Sequence, residues 1–144
     1  MKHRKLYFLI GLILSFGITI SLSSCKKDKP GGGGINFFSL EDDKAFGAQV
    51  AAEIKGDPDN YPILDSSNYP EAYVYLYAIR DSILESGNVV HKDDFLWKLK
   101  IIEDDDVLNA FCTPGGYIYV YTGIIKYLDS EDQFTGVMGH EIAH

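Results

Sequence analysis

The chain has 144 residues, with 13 Lys+Arg against 21 Asp+Glu and a formal net charge of −8. At 46% apolar and 13% aromatic residues it excludes a disordered or collagen-like chain, and its length excludes two separate cores. Residues 1–24 hold Lys2, Arg4 and Lys5 and no acid, which leaves the remainder at −11 and excludes a non-specific nucleic-acid partner.

The N-terminus reads as an export signal. Three basic residues precede an apolar run, Leu6 to Leu22, interrupted by Ser15, Gly17 and Thr19. Its 17 residues fall short of the roughly 20 a spanning helix needs. The run ends Leu22-Ser23-Ser24-Cys25, which resembles a bacterial lipobox. Residues 1–24 are therefore expected to be a lipoprotein signal peptide, with Cys25 as the lipidation site. Residues 25–38, charged and then glycine-rich (Gly31 to Gly34), read as a flexible tether between the acylated Cys25 and a folded body. Three acyl chains give a stable membrane anchor where one is marginal. Lys26 after the Cys favours the outer membrane. With Cys25 acylated, Cys112 has no disulfide partner and reads as a small core residue.

The body spans residues 39–144. Ser39-Leu40-Glu41-Asp42 has capping-box spacing, and the run to Ile54 fits a helix with Phe46, Val50 and Ile54 as its apolar stripe. Gly56 to Asn60 breaks it. Pro70 opens a second helix reaching about Ser86, with Gly87-Asn88 as its stop. Tyr73, Leu76, Tyr77, Ile83 and Leu84 lie at core spacing on that helix. Phe95 to Ile102 alternates like a strand. Glu103 to Asp106 lacks the alternation and central glycine of a calcium loop and reads as a solvated turn. Val107–Thr113 and Tyr117–Tyr121 flank Pro114-Gly115-Gly116 and read as a hairpin or a sharp strand-to-strand corner. Thr122 to Leu128 makes a short helical turn.

The chemistry lies in the last fifteen residues. Ser130 to Gln133 has capping-box spacing and opens a helix ending His140-Glu141-Ile142-Ala143-His144. His140 and His144, one turn apart, project from one face at a separation suited to a single Zn²⁺. Glu141, rotated by roughly 100°, is near enough to act on a water at the metal without ligating it. Phe134, Met138 and Ile142 form a separate stripe that seats the helix in a core. Gly136 and Gly139 cost the helix about 1 kcal/mol each and leave room for close packing around the metal face.

Asn109-Ala110-Phe111-Cys112-Thr113-Pro114-Gly115-Gly116-Tyr117-Ile118-Tyr119-Val120, then Gly123-Ile124-Ile125 and the His-Glu-Ile-Ala-His helix, resembles the HtpX and CAAX-prenyl-protease group of zinc metallopeptidases, metallopeptidase family forty-eight. Its soluble, lipid-anchored bacterial members are closest in layout. The resemblance spans residues 39–144 and is strongest from Asn109. It implies an α+β fold: a mainly helical, zincin-like (gluzincin) domain with a small β-sheet, present here as its N-terminal portion. It also implies His140 and His144 as zinc ligands, Glu141 as catalytic base, and a cleft beside the strand leaving the Gly115-Gly116 turn. The expected partners are protein or peptide substrates, added in extended form to a sheet edge, and a membrane reached through the lipid at Cys25. The expected activity is hydrolysis of peptide bonds through a zinc-activated water, as an endopeptidase of the bacterial envelope in protein quality control.

Catalytic zinc normally has three protein ligands. The family's third resembles a Glu on a later helix, and nothing here matches it; His91 and Asp104 to Asp106 are weak substitutes. The chain is accordingly expected to be the N-terminal part of a longer protease, binding zinc weakly and cleaving little by itself. The competing reading is a non-catalytic lipoprotein that retains the fold to bind or scaffold envelope proteins. Glu141 favours catalysis, because no structural need places a Glu beside two aligned histidines.

Overall fold

The computed structural model describes residues 39–143. The expected signal peptide, Cys25, the tether and His144 lie outside the described residues. In chain order the elements are α1 (Leu40–Gly56), α2 (Pro70–Glu85), β1 (Lys98–Ile102), β2 (Ala110–Thr113), β3 (Tyr117–Tyr121), α3 (Thr122–Tyr127) and α4 (Glu131–Ala143). This is the expected α+β architecture, with helices outnumbering a small sheet. Among the described residues no helix is long and apolar enough to cross a membrane.

Local chemistry sets the helix ends. Ser39 caps α1 through a complete box: its hydroxyl accepts from the Asp42 N–H at 3.1 Å, and the Asp42 carboxylate accepts from the Ser39 N–H at 2.9 Å. Pro70 occupies the first turn of α2, whose missing N–H costs nothing there. Gly87, at φ 81°, follows its end in the left-handed region that glycine enters freely.

The sheet order is β1-β3-β2. β2 and β3 form the expected hairpin, with Cys112 opposite Ile118, while β1 runs parallel to β3, with Leu99 opposite Ile118. Alternation along the strands sorts their side chains between two faces. On one face Leu99, Ile101, Ile118 and Val120 pack with Tyr73, Leu76 and Ile79 of α2 and Phe134, Met138 and Ile142 of α4. On the other, Ile102 and Tyr119 pack with Ile54 of α1. Phe111 stacks on Tyr119 there, with ring centroids 4.8 Å apart. Tyr73 ties α2 to β1 by donating to the Leu64 carbonyl at 2.6 Å and accepting from the Ile101 N–H at 3.2 Å.

Three expectations need correction. The strand expected over Phe95 to Ile102 begins only at Lys98, because Trp97 takes φ 44°, outside extended geometry. The strand expected from Val107 begins at Ala110. Residues 104–107 instead cross the start of α3, where the Gly123 N–H donates to the Asp104 carbonyl and a Cβ on Gly123 would lie 2.4 Å from the Val107 oxygen. The third concerns α1: Ile54 is buried and Val50 half-buried, but Phe46 is 56% exposed, and the helix docks through Gly47 instead.

Candidate active site

The helix that carries the motif is held from below and capped at its start. Phe134, Met138 and Ile142, spaced by four, are all at most 5% exposed and fasten α4 to the sheet and α2. The Ser130 hydroxyl accepts from the Gln133 N–H at 3.4 Å, but the Gln133 side chain reaches past Ser130 to the Asp129 N–H at 3.0 Å. Ser130 is thus the cap its spacing predicts, with only the return arm of the box displaced by one residue. Among the described residues a Cβ on Gly136 or Gly139 would meet nothing within 4 Å, so the expected close packing finds no partner there.

With that stripe buried, the next residues on α4 turn toward solvent. His140 is exposed, and Glu141 is half-buried at the wall of a cavity of about 580 Å³. Further lining comes from Val89 to His91 and Phe95 in the segment after α2, from Trp97, and from Cys112 and Thr113 of β2. The cavity thus lies at the strand entering the Pro114-Gly115-Gly116 turn and at the turn itself. The strand leaving the turn was expected at the cleft, but β3 is the central strand, with both edges paired to β1 and β2.

The turn locks the cavity's far wall. Gly115 and Gly116 both have φ 80°, and their carbonyls accept from the Leu96 and Lys98 N–H groups at 3.2 and 2.7 Å. A Cβ on Gly116 would lie 2.9 Å from both the Trp97 nitrogen and the Phe95 Cβ. Glycine is required here by conformation and by space. Trp97 in turn donates its indole N–H to the Lys92 carbonyl at 2.8 Å and meets Phe95 edge-on at 5.8 Å.

Cys112 packs against the core as expected, but it also lines the cavity. Burial, helped by the negative charge of Glu141, pushes its thiol up to about 11. That makes it an inert thiol rather than a nucleophile. Thr113 contributes a buried hydroxyl with no hydrogen-bond partner among the described residues.

His140 and Glu141 are placed together by α4 as the sequence predicts, while the second imidazole, His144, lies outside the described residues. Among the described residues no three His, Cys, Asp or Glu side chains cluster as a metal site. His91 lines the Glu141 cavity, whereas Asp104 to Asp106 organise the start of α3: the Asp104 N–H donates to the Thr122 hydroxyl, and the Asp105 carboxylate binds Lys126. The exposed His140 imidazole is a nitrogen donor of the kind zinc takes, and the half-buried Glu141 carboxylate beside it lines the cavity as a proton acceptor rather than a ligand. Sequence reading missed the wall formed by residues 89–97, because the apolar alternation of Phe95 and Trp97 resembles a strand.

The sequence pattern of Peptidase family M48 matches residues 70–144. The mitochondrial metalloendopeptidase OMA1 of Arabidopsis thaliana is 33% identical over 54 residues, 38% of this chain and 11% of that protein. OMA1 of Schizosaccharomyces pombe is 41% identical over 51 residues, 35% of this chain and 15% of that protein. The beta-barrel assembly-enhancing protease of Escherichia coli is 39% identical over 41 residues, 28% of this chain and 8% of that protein. The matched segments thus span less than a sixth of each of these relatives.

Proposed function

Because this chain belongs to peptidase family M48, we propose that it is the site-bearing part of a zinc-dependent endopeptidase of the bacterial envelope, tethered by lipid at Cys25. The observation that carries the proposal is Glu141 at the cavity wall, one residue from His140 on a helix whose opposite stripe is buried. His140 and His144 are the residues that would hold Zn²⁺, completed by one further protein donor. When bound, the metal supplies Lewis acidity and lowers the pKa of water toward 7.

Glu141 is the proton carrier. It takes a proton as the water oxygen bonds to the substrate carbonyl carbon, and returns it to the amide nitrogen as the C–N bond breaks. A half-buried carboxylate lining a cavity is reachable by substrate and still partly shielded from bulk water. Among the described residues β2 pairs with β3 alone, so its second edge offers backbone groups to an extended substrate beside Glu141. Backbone pairing places few demands on side chains, which suits damaged or misassembled envelope proteins as substrates. The bacterial relative named for enhancing beta-barrel assembly supports the same setting.

The decisive experiment replaces Glu141 with Gln in the protein expressed from its native gene. Cleavage of unfolded casein should fall by about 10²–10⁴-fold while zinc content is unchanged. An undiminished rate would favour a binding or scaffold role. Incorporation of labelled palmitate, lost in Cys25→Ala, tests the anchor.

A further inference from the structure

His91 stands apart from the motif helix but faces the same cavity as Glu141. Its backbone has φ 64°, a left-handed conformation uncommon outside glycine and more readily adopted by His, Asn and Asp. Its Nδ1 lies 2.9 Å from the Asp94 carboxylate, and its ring rests against Phe95 with centroids 6.3 Å apart. The Asp94 N–H donates to the His91 carbonyl at 3.0 Å, closing a tight turn that holds both residues. That turn is clamped in its place because the Trp97 indole donates to the Lys92 carbonyl within it. The imidazole is therefore oriented by two contacts, to Asp94 and to Phe95, on a segment whose backbone is fixed by two hydrogen bonds.

The Asp94 carboxylate can only accept, so it selects the tautomer with the proton on Nδ1. In the neutral form of that ring, Nε2 is left as an acceptor. An acceptor at the rim of a largely apolar cavity complements an amide N–H of an extended chain, whose side chain the cavity can house. We propose that His91 is a substrate-positioning residue, whose Nε2 accepts a hydrogen bond from one backbone N–H of a peptide lying in the cavity beside Glu141. This rests on the peptidase reading of that cavity and adds to it a residue that no part of the zinc motif supplies.

Trp97 lines the cavity, so the part of the fluorescence change that is lost in a Trp97→Phe control reports occupancy. The test uses the Glu141→Gln protein, which holds peptide without turnover, and a capped octapeptide with Leu at its centre. His91→Asn is the informative variant, because Asn tolerates the left-handed backbone and keeps a donor toward Asp94 but lacks Nε2. Its Kd for the octapeptide should rise about tenfold, the scale of one lost hydrogen bond. N-methylation of the one amide that His91 accepts from should weaken binding to the His91 protein by a similar factor and leave the Asn variant unaffected. Asp94→Ala, which releases the ring without touching it, should weaken binding in the same direction and serves where the Asn variant fails to fold. Unchanged affinity in the folded variants, additive effects at every methylated position, or no saturable fluorescence change in either protein overturns the proposal. Casein cleavage by the wild type with unaffected octapeptide binding in His91→Asn sinks this inference alone. Octapeptide binding as described, without casein cleavage by the wild type, sinks the peptidase reading and leaves His91 as a peptide-binding residue.

Discussion

Gly47 in α1 faces the Pro114 carbonyl so closely that a Cβ on Gly47 would lie 1.7 Å from the oxygen. The oxygen belongs to backbone and a Cβ position is fixed by its own backbone, so no rotamer change relieves the clash. Pro114 sits in the turn that walls the cavity, and Asp43 of the same helix also reaches that wall. The α1 helix is thus docked to the candidate site by the absence of a side chain. Gly47→Ala should cost about 1–3 kcal/mol of stability, as overpacking does elsewhere. It should also disturb the turn. A lower urea midpoint, together with a shifted Trp97 emission maximum, checks both parts.

Tyr73 joins three segments through one hydroxyl. Tyr73→Phe keeps the ring's packing but leaves the Ile101 N–H and the Leu64 carbonyl without that partner inside the fold. Loss of about 1–3 kcal/mol is expected, because buried polar groups are stranded rather than merely unpaired. Equilibrium denaturation measures it. Burial also raises the Tyr73 hydroxyl above its ordinary value, so the group stays protonated and donating through the neutral range.

The Cys112 thiol provides a pH test. Its value moves from 9.0 to about 11, through burial first and Glu141 second. Below about 9 the thiol is protonated both folded and unfolded. Between about 9 and 11 only the unfolded chain ionises, so stability falls as pH rises across that window. Iodoacetamide labelling of the native, metal-free protein should be slow at pH 8 and rise with a midpoint near 11. Glu141→Gln should move that midpoint down, because it removes the neighbouring negative charge while leaving the burial.

At the acid end, hydrogen bonds from the Ser39 backbone and hydroxyl hold the Asp42 carboxyl below its usual 3.8. A depressed carboxylate stabilises the fold above that value, and the contribution is lost as pH falls through the lower, folded value. Ser39→Ala should therefore lower the melting temperature at pH 7 and flatten the acid limb of a stability-against-pH curve. An unchanged acid limb would show that the cap contributes nothing to it.

Much of the fold was legible because it depends on near neighbours. The Ser39 box, Pro70 at the start of α2 and the Pro-Gly-Gly corner between β2 and β3 are settled within a few residues of chain. The α4 stripe was legible for the same reason: Phe134, Met138 and Ile142 recur at the helical period, and burying them leaves His140 outside. Errors fell where a distant segment intervened. Trp97 leaves the strand because its backbone packs against Gly116, nearly twenty positions along. The spacing of Phe46 predicts a core position, yet α1 is drawn in by Gly47, which carries no apolar signal at all.

Taken alone, the residue order determined which helix carries His140 and Glu141, since a period of 3.6 residues places side chains without reference to anything else. Where that helix points its carboxylate was decided only by tertiary structure. The cavity beside Glu141 is assembled from the segment after α2, the end of β2 and the Gly115-Gly116 turn. Those pieces meet because β1 inserts parallel to β3 on the far side of the hairpin. A parallel partner joins through contacts distant in sequence, which local propensity does not encode. It is this pairing that carries His91 and Trp97 to the wall facing Glu141.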